Sequence, residues 1–318
     1  MLTFGDVTIE PGEKKQFTLP VTQSPSGQSL GFPMVVVNGK HEGPKFLVDG
    51  GIHGDEYESA EAIRGTWRDL DPAALHGAFV GVPVVNVPAF EVGGRTNSVD
   101  GTDMNRIFPG KRDGLLTEQF AYQFFNEVVL KCDMGMDMHS GGLVLANTPA
   151  VVYQEIEDEG MRAKSREIAY ATGSDLIHKG SAGSGGWLNV AAPMAGIPYV
   201  TTEHGGEGRC REVFVQAQRE FIDNIMKHYE MIPGEPEAPS ERMVVTGGFQ
   251  TCSTGGFFRT WKELRDPVKE GEVMGTIMDL FGAVVEEAKA PYDGIILAQR
   301  TFPTINPGDL TVMVGALE

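Results

Sequence analysis

The chain has 318 residues, 41% hydrophobic and 22% charged, which excludes disorder throughout and is long enough for one large domain or two. Lys and Arg number 26 against 44 Asp and Glu, a formal net charge of −18, and so acidic a surface argues against nucleic acid and anionic membrane as partners. Three cysteines, Cys132, Cys210 and Cys252, without a CxxC pair argue against a disulfide framework or a cysteine-rich zinc site.

Residues 1–15 lack the apolar core of a signal peptide. No run approaches the roughly 18 apolar residues of a membrane span. A reducing, cytoplasmic location is expected. Residues 46–52 form a short apolar run stopped by Gly50-Gly51, the pattern of a buried strand. A helix is expected over 60–70 and a second strand over 78–85, with Pro83 placing it at a strand end or near an edge. Residues 116–130 carry Phe120, Phe124 and Val128 at helical spacing. Residues 134–138 read as a strand running into Ser140-Gly141-Gly142, and 162–171 as a helix. Residues 199–202 are a β-branched strand running into Glu203-His204-Gly205-Gly206, and 212–229 a long amphipathic helix.

Strands alternating with helices predict an α/β fold with helices on both faces of the sheet. Sites in such folds gather where strands end. Residues 231–241 hold Pro233, Pro236 and Pro239 without periodicity, and read as a linker. Beyond it, short apolar runs separated by turn signals predict a small all-β domain. The expected units are a catalytic domain over 1–232 and a C-terminal β domain over 242–318.

Four segments carry chemistry. In Gly50-Gly51-Ile52-His53-Gly54-Asp55-Glu56, a glycine-flanked turn can aim imidazole and carboxylate at one point, at the roughly 2.0–2.2 Å that Zn²⁺ requires. Alone, the spacing is better explained by an exposed histidine and a helix-start glutamate. In Met136-Asp137-Met138-His139-Ser140, His139 ends a strand, and Asp137 lies two residues back on the same face, where it can orient the site. The alternative is a strand-end histidine paired for structure. In Thr202-Glu203-His204, a glutamate ending a buried strand is costly to ionise unless a cation is near. Activating water is one use for it, and bonding to glycine amides is the other. His204 alternates to the opposite face. Last, Arg95 and Asn105-Arg106 offer planar donors for a carboxylate, or else weak surface ion pairs, with Asp103 bracing the loop.

Each segment is weak singly, but their order is not. GGIHGDE (50–56), Arg95 with DMNRIFPG (103–110), DMHSGG (137–142) and TEHGG (202–206) together resemble the succinylglutamate desuccinylase/aspartoacylase family, a branch of the zinc carboxypeptidase clan. The resemblance implies a zinc-carboxypeptidase-like mixed sheet and one Zn²⁺ per chain, held by His53, Glu56 and His139. It implies Glu203 as general base and acid, Arg95, Asn105 and Arg106 on the substrate, and Arg95 also polarising the scissile carbonyl. The implied reaction is hydrolysis of the amide of a small N-acyl amino acid. HGDEYES (53–59) looks nearest to deacetylases of N-acetylated diaminobutyrate. A metallocarboxypeptidase acting on peptides and a non-catalytic binding or carrier protein are the alternatives.

The family's C-terminal substrate tyrosine has one counterpart here, Tyr292, which does not align securely. Residues 268–315 resemble a biotinyl/lipoyl-type sandwich, but the turn Asp279-Leu280-Phe281-Gly282 lacks the lysine that a carrier needs. The region either narrows the cleft or serves stability and dimer contacts. Nothing in the sequence fixes or forbids a homo-oligomer.

Overall fold

The computed structural model describes residues 1–183 and 185–318. A small hairpin of β1 (Leu2–Phe4) and β2 (Val7–Ile9) precedes the strands β3 (Glu13–Gln23), β4 (Ser29–Asn38) and β5 (His41–Gly50). Helix α1 (Glu58–Asp69), strand β6 (His76–Val82), the short helix α2 (Val87–Glu91) and helix α3 (Leu116–Glu127) follow. Next come β7 (Met134–His139), β8 (Leu145–Glu155), α4 (Glu159–Ala171), β9 (Leu176–Ser181), α5 (Leu188–Met194), β10 (Tyr199–Gly206) and α6 (Glu212–His228). Among the described residues every regular element beyond α6 is a strand: β11 (Met243–Thr251), β12 (Gly256–Thr260), β13 (Pro267–Val268), β14 (Val273–Met278), β15 (Val284–Lys289), β16 (Gly294–Arg300), β17 (Thr304–Ile305) and β18 (Leu310–Leu317).

One mixed sheet of 12 strands runs β13-β16-β18-β11-β9-β8-β10-β7-β5-β6-β4-β3, and β16 also pairs with β8. Four C-terminal strands, β11, β13, β16 and β18, thus belong to the sheet that carries the N-terminal strands. A second, four-stranded sheet, β15-β14-β12-β17, packs Phe258, Met274 and Ile277 against Ile296 of β16 and Val312 and Val314 of β18. No described helix is long and apolar enough to cross a membrane.

Both faces of the main sheet are covered. On one, Phe120 and Phe124 of α3 and Leu188 of α5 pack against Phe32 and Leu47. Phe32 and Phe124 meet edge to face at 5.8 Å, an arrangement the ring quadrupole favours. On the other face, Ile63 of α1, Ile168 of α4 and Ile222 and Ile225 of α6 cover Val48, Met136 and Val200. Each such buried side chain contributes about 1.5–3 kcal/mol. The middle strands therefore read as apolar runs because both their faces are buried.

β6 stops at Val82, immediately before Pro83, yet lies inside the sheet between β4 and β5. The proline therefore marks a strand end, not an edge. Strands β5, β7 and β10 are parallel neighbours, with Asp49 opposite Asp137 and Glu203 opposite His139. Their carboxyl ends share one rim, which brings three distant segments together.

Candidate active site

The chain leaving β5 turns sharply through Gly51, whose φ is +63°. Gly54 then passes so close to α2 that a Cβ there would meet the Ala89 carbonyl carbon at 2.1 Å. Only glycine fits. Asn86 fixes the turn by donating to the Ile52 carbonyl at 3.1 Å and capping α2 at Ala89 N. His53 and Glu56 are thereby turned inward. Both are 3% exposed, and His139, from the end of β7, is 4% exposed.

These three side chains converge. Glu56 bridges the imidazoles, with Oε1 2.8 Å from His53 Nδ1 and Oε2 2.8 Å from His139 Nδ1. Oε2 also accepts from Ser140 N at 3.0 Å. The ligand-type atoms of the three residues all lie within 4.8 Å of one another. Each ring's outer nitrogen meets a carboxylate: His53 Nε2 lies 3.1 Å from Asp103 Oδ1, and His139 Nε2 lies 2.7 Å from Asp137 Oδ2. That pairing fixes the orientation of metal-binding histidines. Burial works against charge here, but His139 and His53 outweigh it and hold the Glu56 carboxyl well below the usual range. At His139, burial is likewise outweighed by Asp137 and Glu56, which raise the imidazole well above its ordinary value. Two buried imidazoles and a carboxylate, with anchored outer nitrogens, are a donor set that suits Zn²⁺.

Asp103 also binds Arg95, with Oδ2 accepting from Nε at 3.2 Å and Nη2 at 3.1 Å. The loop brace expected at Asp103 thus ties the histidine to the arginine. Arg95 Nη1 lies 3.9 Å from Glu56 Oε1, at the edge of the cluster. Asn105 is drawn in from both ends: Nδ2 lies 3.2 Å from His139 Nε2, and Oδ1 accepts from Leu188 N at 2.9 Å. Arg106 donates to the Asn105 carbonyl at 2.7 Å and places its guanidinium 5.6 Å from the Trp187 ring centre.

Glu203 is only partly buried and faces His139 across the β7–β10 pairing. Its Oε2 accepts from Asn147 Nδ2 of β8 at 2.6 Å. Desolvation pushes its carboxyl up to about 7, where accepting and returning a proton are both accessible near neutral pH. His204 is 0% exposed on the other face, with its ring 5.0 Å from that of Phe221. Neither of its ring nitrogens has a partner among the described residues, and burial pushes its pKa down to about 3. Tyr292 is engaged elsewhere: its hydroxyl donates to Val314 O at 2.9 Å and accepts from Gly248 N at 3.2 Å.

Three residues of this neighbourhood have no counterpart among the sequence-based candidates. Asp49 lies fully buried beside Asp137 and accepts from the Tyr199 hydroxyl. Desolvation, with the Asp137 charge, raises its pKa well above the usual range. A lone acid at the end of the apolar Phe46-Leu47-Val48 run was the available signal. Asn147 and Trp187 carried none, since neither lies in a distinctive motif.

A family model described as the succinylglutamate desuccinylase/aspartoacylase catalytic domain matches residues 42–229. The chain is 30% identical over 305 residues to N-alpha-acetyl-L-2,4-diaminobutyric acid deacetylase of Halomonas elongata, covering 93% of this chain and 89% of that protein. Among solved structures, a succinylglutamate desuccinylase/aspartoacylase from Rhodobacter sphaeroides superposes with a TM-score of 0.89 at 26% identity, covering 98% of each chain. The product-bound ectoine utilization protein EutE (DoeB) from Ruegeria pomeroyi gives 0.88 at 27% identity, covering 97% of this chain and 98% of that one.

Proposed function

The chain belongs to the succinylglutamate desuccinylase/aspartoacylase family, and from that premise we propose that it is a zinc-dependent hydrolase of small N-acyl amino acids. The observation that carries this reading is the convergence of His53, Glu56 and His139, each ring backed by a carboxylate, with Glu203 facing them from the next strand. His53, Glu56 and His139 would hold the ion. When bound, zinc supplies a Lewis acid that polarises a carbonyl and lowers the pKa of water.

The protein's own groups do the rest. Glu203 takes a proton from the attacking water and returns it to the departing amine, so amide and water become carboxylate and free amine. Arg95, anchored through Asp103, presents its guanidinium where negative charge develops on the carbonyl oxygen. Asn105 and Arg106 border the same pocket and hold the substrate carboxylate. Asp137 and Asp103 keep both rings aimed.

The substrate class follows the Halomonas relative, whose name specifies an N-acetylated diaminobutyrate. In this reading the C-terminal region, whose β16 pairs with β8 at Asn147 beside Glu203, walls the site against peptides, and the turn Asp279–Gly282 has no lysine for a carrier group. The test is a hydrolysis screen over N-acetyl and N-succinyl amino acids beside peptides, with and without chelator. Chelator-sensitive release of acetate or succinate is expected. Activity confined to peptides, or indifferent to chelator, would overturn the reading.

A further inference from the structure

Strand β8 reaches Glu203 through an irregularity. Its antiparallel pairing with β10 is regular from Thr201 opposite Val152 to Glu203 opposite Ala150, then resumes one place out of step with Gly205 opposite Asn147. His204 of β10 therefore faces two residues of β8, Thr148 and Pro149, which defines a β-bulge. Pro149 has no N–H to give a ladder, so a bulge is where it can sit inside a sheet.

The bulge decides where Asn147 points. Three places from Ala150 in an unbroken strand, its side chain would lie on the face away from Glu203. The shift returns it to the Glu203 side, where Nδ2 donates to Oε2 at 2.6 Å. Asn147 is 6% exposed, and its Oδ1 has no partner among the described residues. An unpaired buried amide oxygen is a cost, so the bond to Glu203 is what orients this amide. On its other side β8 is gripped by the C-terminal region: Asn147 pairs with Ala298, Ala146 with Gln299 and Leu145 with Arg300. Thr148 Oγ1 also donates to Ile296 O at 3.3 Å.

We propose that Asn147 is a positioning residue for Glu203, holding one carboxylate oxygen so that the other stays aimed at water and amine, with strand β16 holding Asn147 in place. This rests on the reading of Glu203 as proton carrier. The test compares Asn147→Ala, the shape-preserving Asn147→Leu, Glu203→Gln and the double variant Asn147→Ala/Glu203→Gln, with N-alpha-acetyl-L-2,4-diaminobutyrate as substrate. The expected loss in the Asn147 variants is about 10- to 100-fold in kcat, with KM within about twofold, because misplacement of a reacting group acts on the chemical step. In single-turnover rates, adding Asn147→Ala to Glu203→Gln should cost nothing further. A folded Asn147→Leu protein with full kcat, a loss confined to KM, or losses that multiply in the double variant would overturn the proposal. Full activity in Glu203→Gln would overturn both readings, whereas an inactive Glu203→Gln beside a fully active Asn147→Leu overturns this one alone.

Discussion

Two adjacent residues of one strand meet opposite fates. Glu203 looks toward the two imidazoles and is held by Asn147, whereas His204 is sealed behind the sheet against Phe221. On the site face, carboxylates and amides answer one another: Glu56, Asp103 and Asp137 each hold an imidazole. On the rear face, neither ring nitrogen of His204 and neither side-chain polar atom of Gln218 of α6 has a hydrogen-bond partner among the described residues. The difference is one of surroundings: the imidazoles beside Glu203 each face carboxylates, whereas His204 is packed against Phe221 with no polar partner among the described residues. Burial pushes His204 down to about 3, so it stays neutral.

The contrast can be broken at four points. The largest effect is expected at Glu203→Gln, which should lower kcat/KM by about 10²–10⁴-fold, the usual range for losing general acid–base catalysis, while the melting temperature changes little. Arg95→Ala should cost about 10²–10³-fold in kcat if its guanidinium meets the developing oxyanion. A loss confined to KM would make Arg95 a substrate-carboxylate ligand only.

At Glu58, which opens α1 two residues after Glu56, the readout is stability. The folded Glu58 carboxyl titrates near 7, against a reference value of 4.5. Its contribution is therefore fully present below pH 4.5 and is lost as pH rises toward 7, because the unfolded chain ionises first. Glu58→Gln should accordingly stabilise the protein at pH 8 by up to about 3 kcal/mol, with the gain shrinking toward zero near pH 4.5 in denaturant titrations. A pH-independent difference would contradict the burial argument. The smallest effect is expected at His204→Leu. It should leave kcat/KM within about twofold and raise stability by about 1 kcal/mol, since two unpartnered nitrogens are removed. A tenfold fall in kcat/KM would move His204 into the site.

Much of this contrast was legible in the sequence. Period-two alternation alone separates Glu203 from His204. The glycine-flanked His53 and Glu56 follow a strand, as glycine-stopped apolar runs announce. The middle strands showed because both their faces are buried, leaving nearly unbroken apolar runs. β3, reading Glu-Lys-Lys-Gln-Phe-Thr-Leu-Pro-Val-Thr-Gln along the sheet edge, showed no such run. β8 was hidden by Pro149, and with it the bulge that turns Asn147 toward Glu203. Register shifts arise from pairing between distant strands, so no local pattern announces them. The union of β11, β13, β16 and β18 with the main sheet has the same long-range origin.

The most direct measurement is elemental analysis of the purified protein beside its Glu56→Gln variant, with activity read on the same samples. One zinc per chain is predicted in the unaltered protein, with metal and activity lost together in the variant. A metal-free protein that keeps full activity in the presence of chelator would contradict the account.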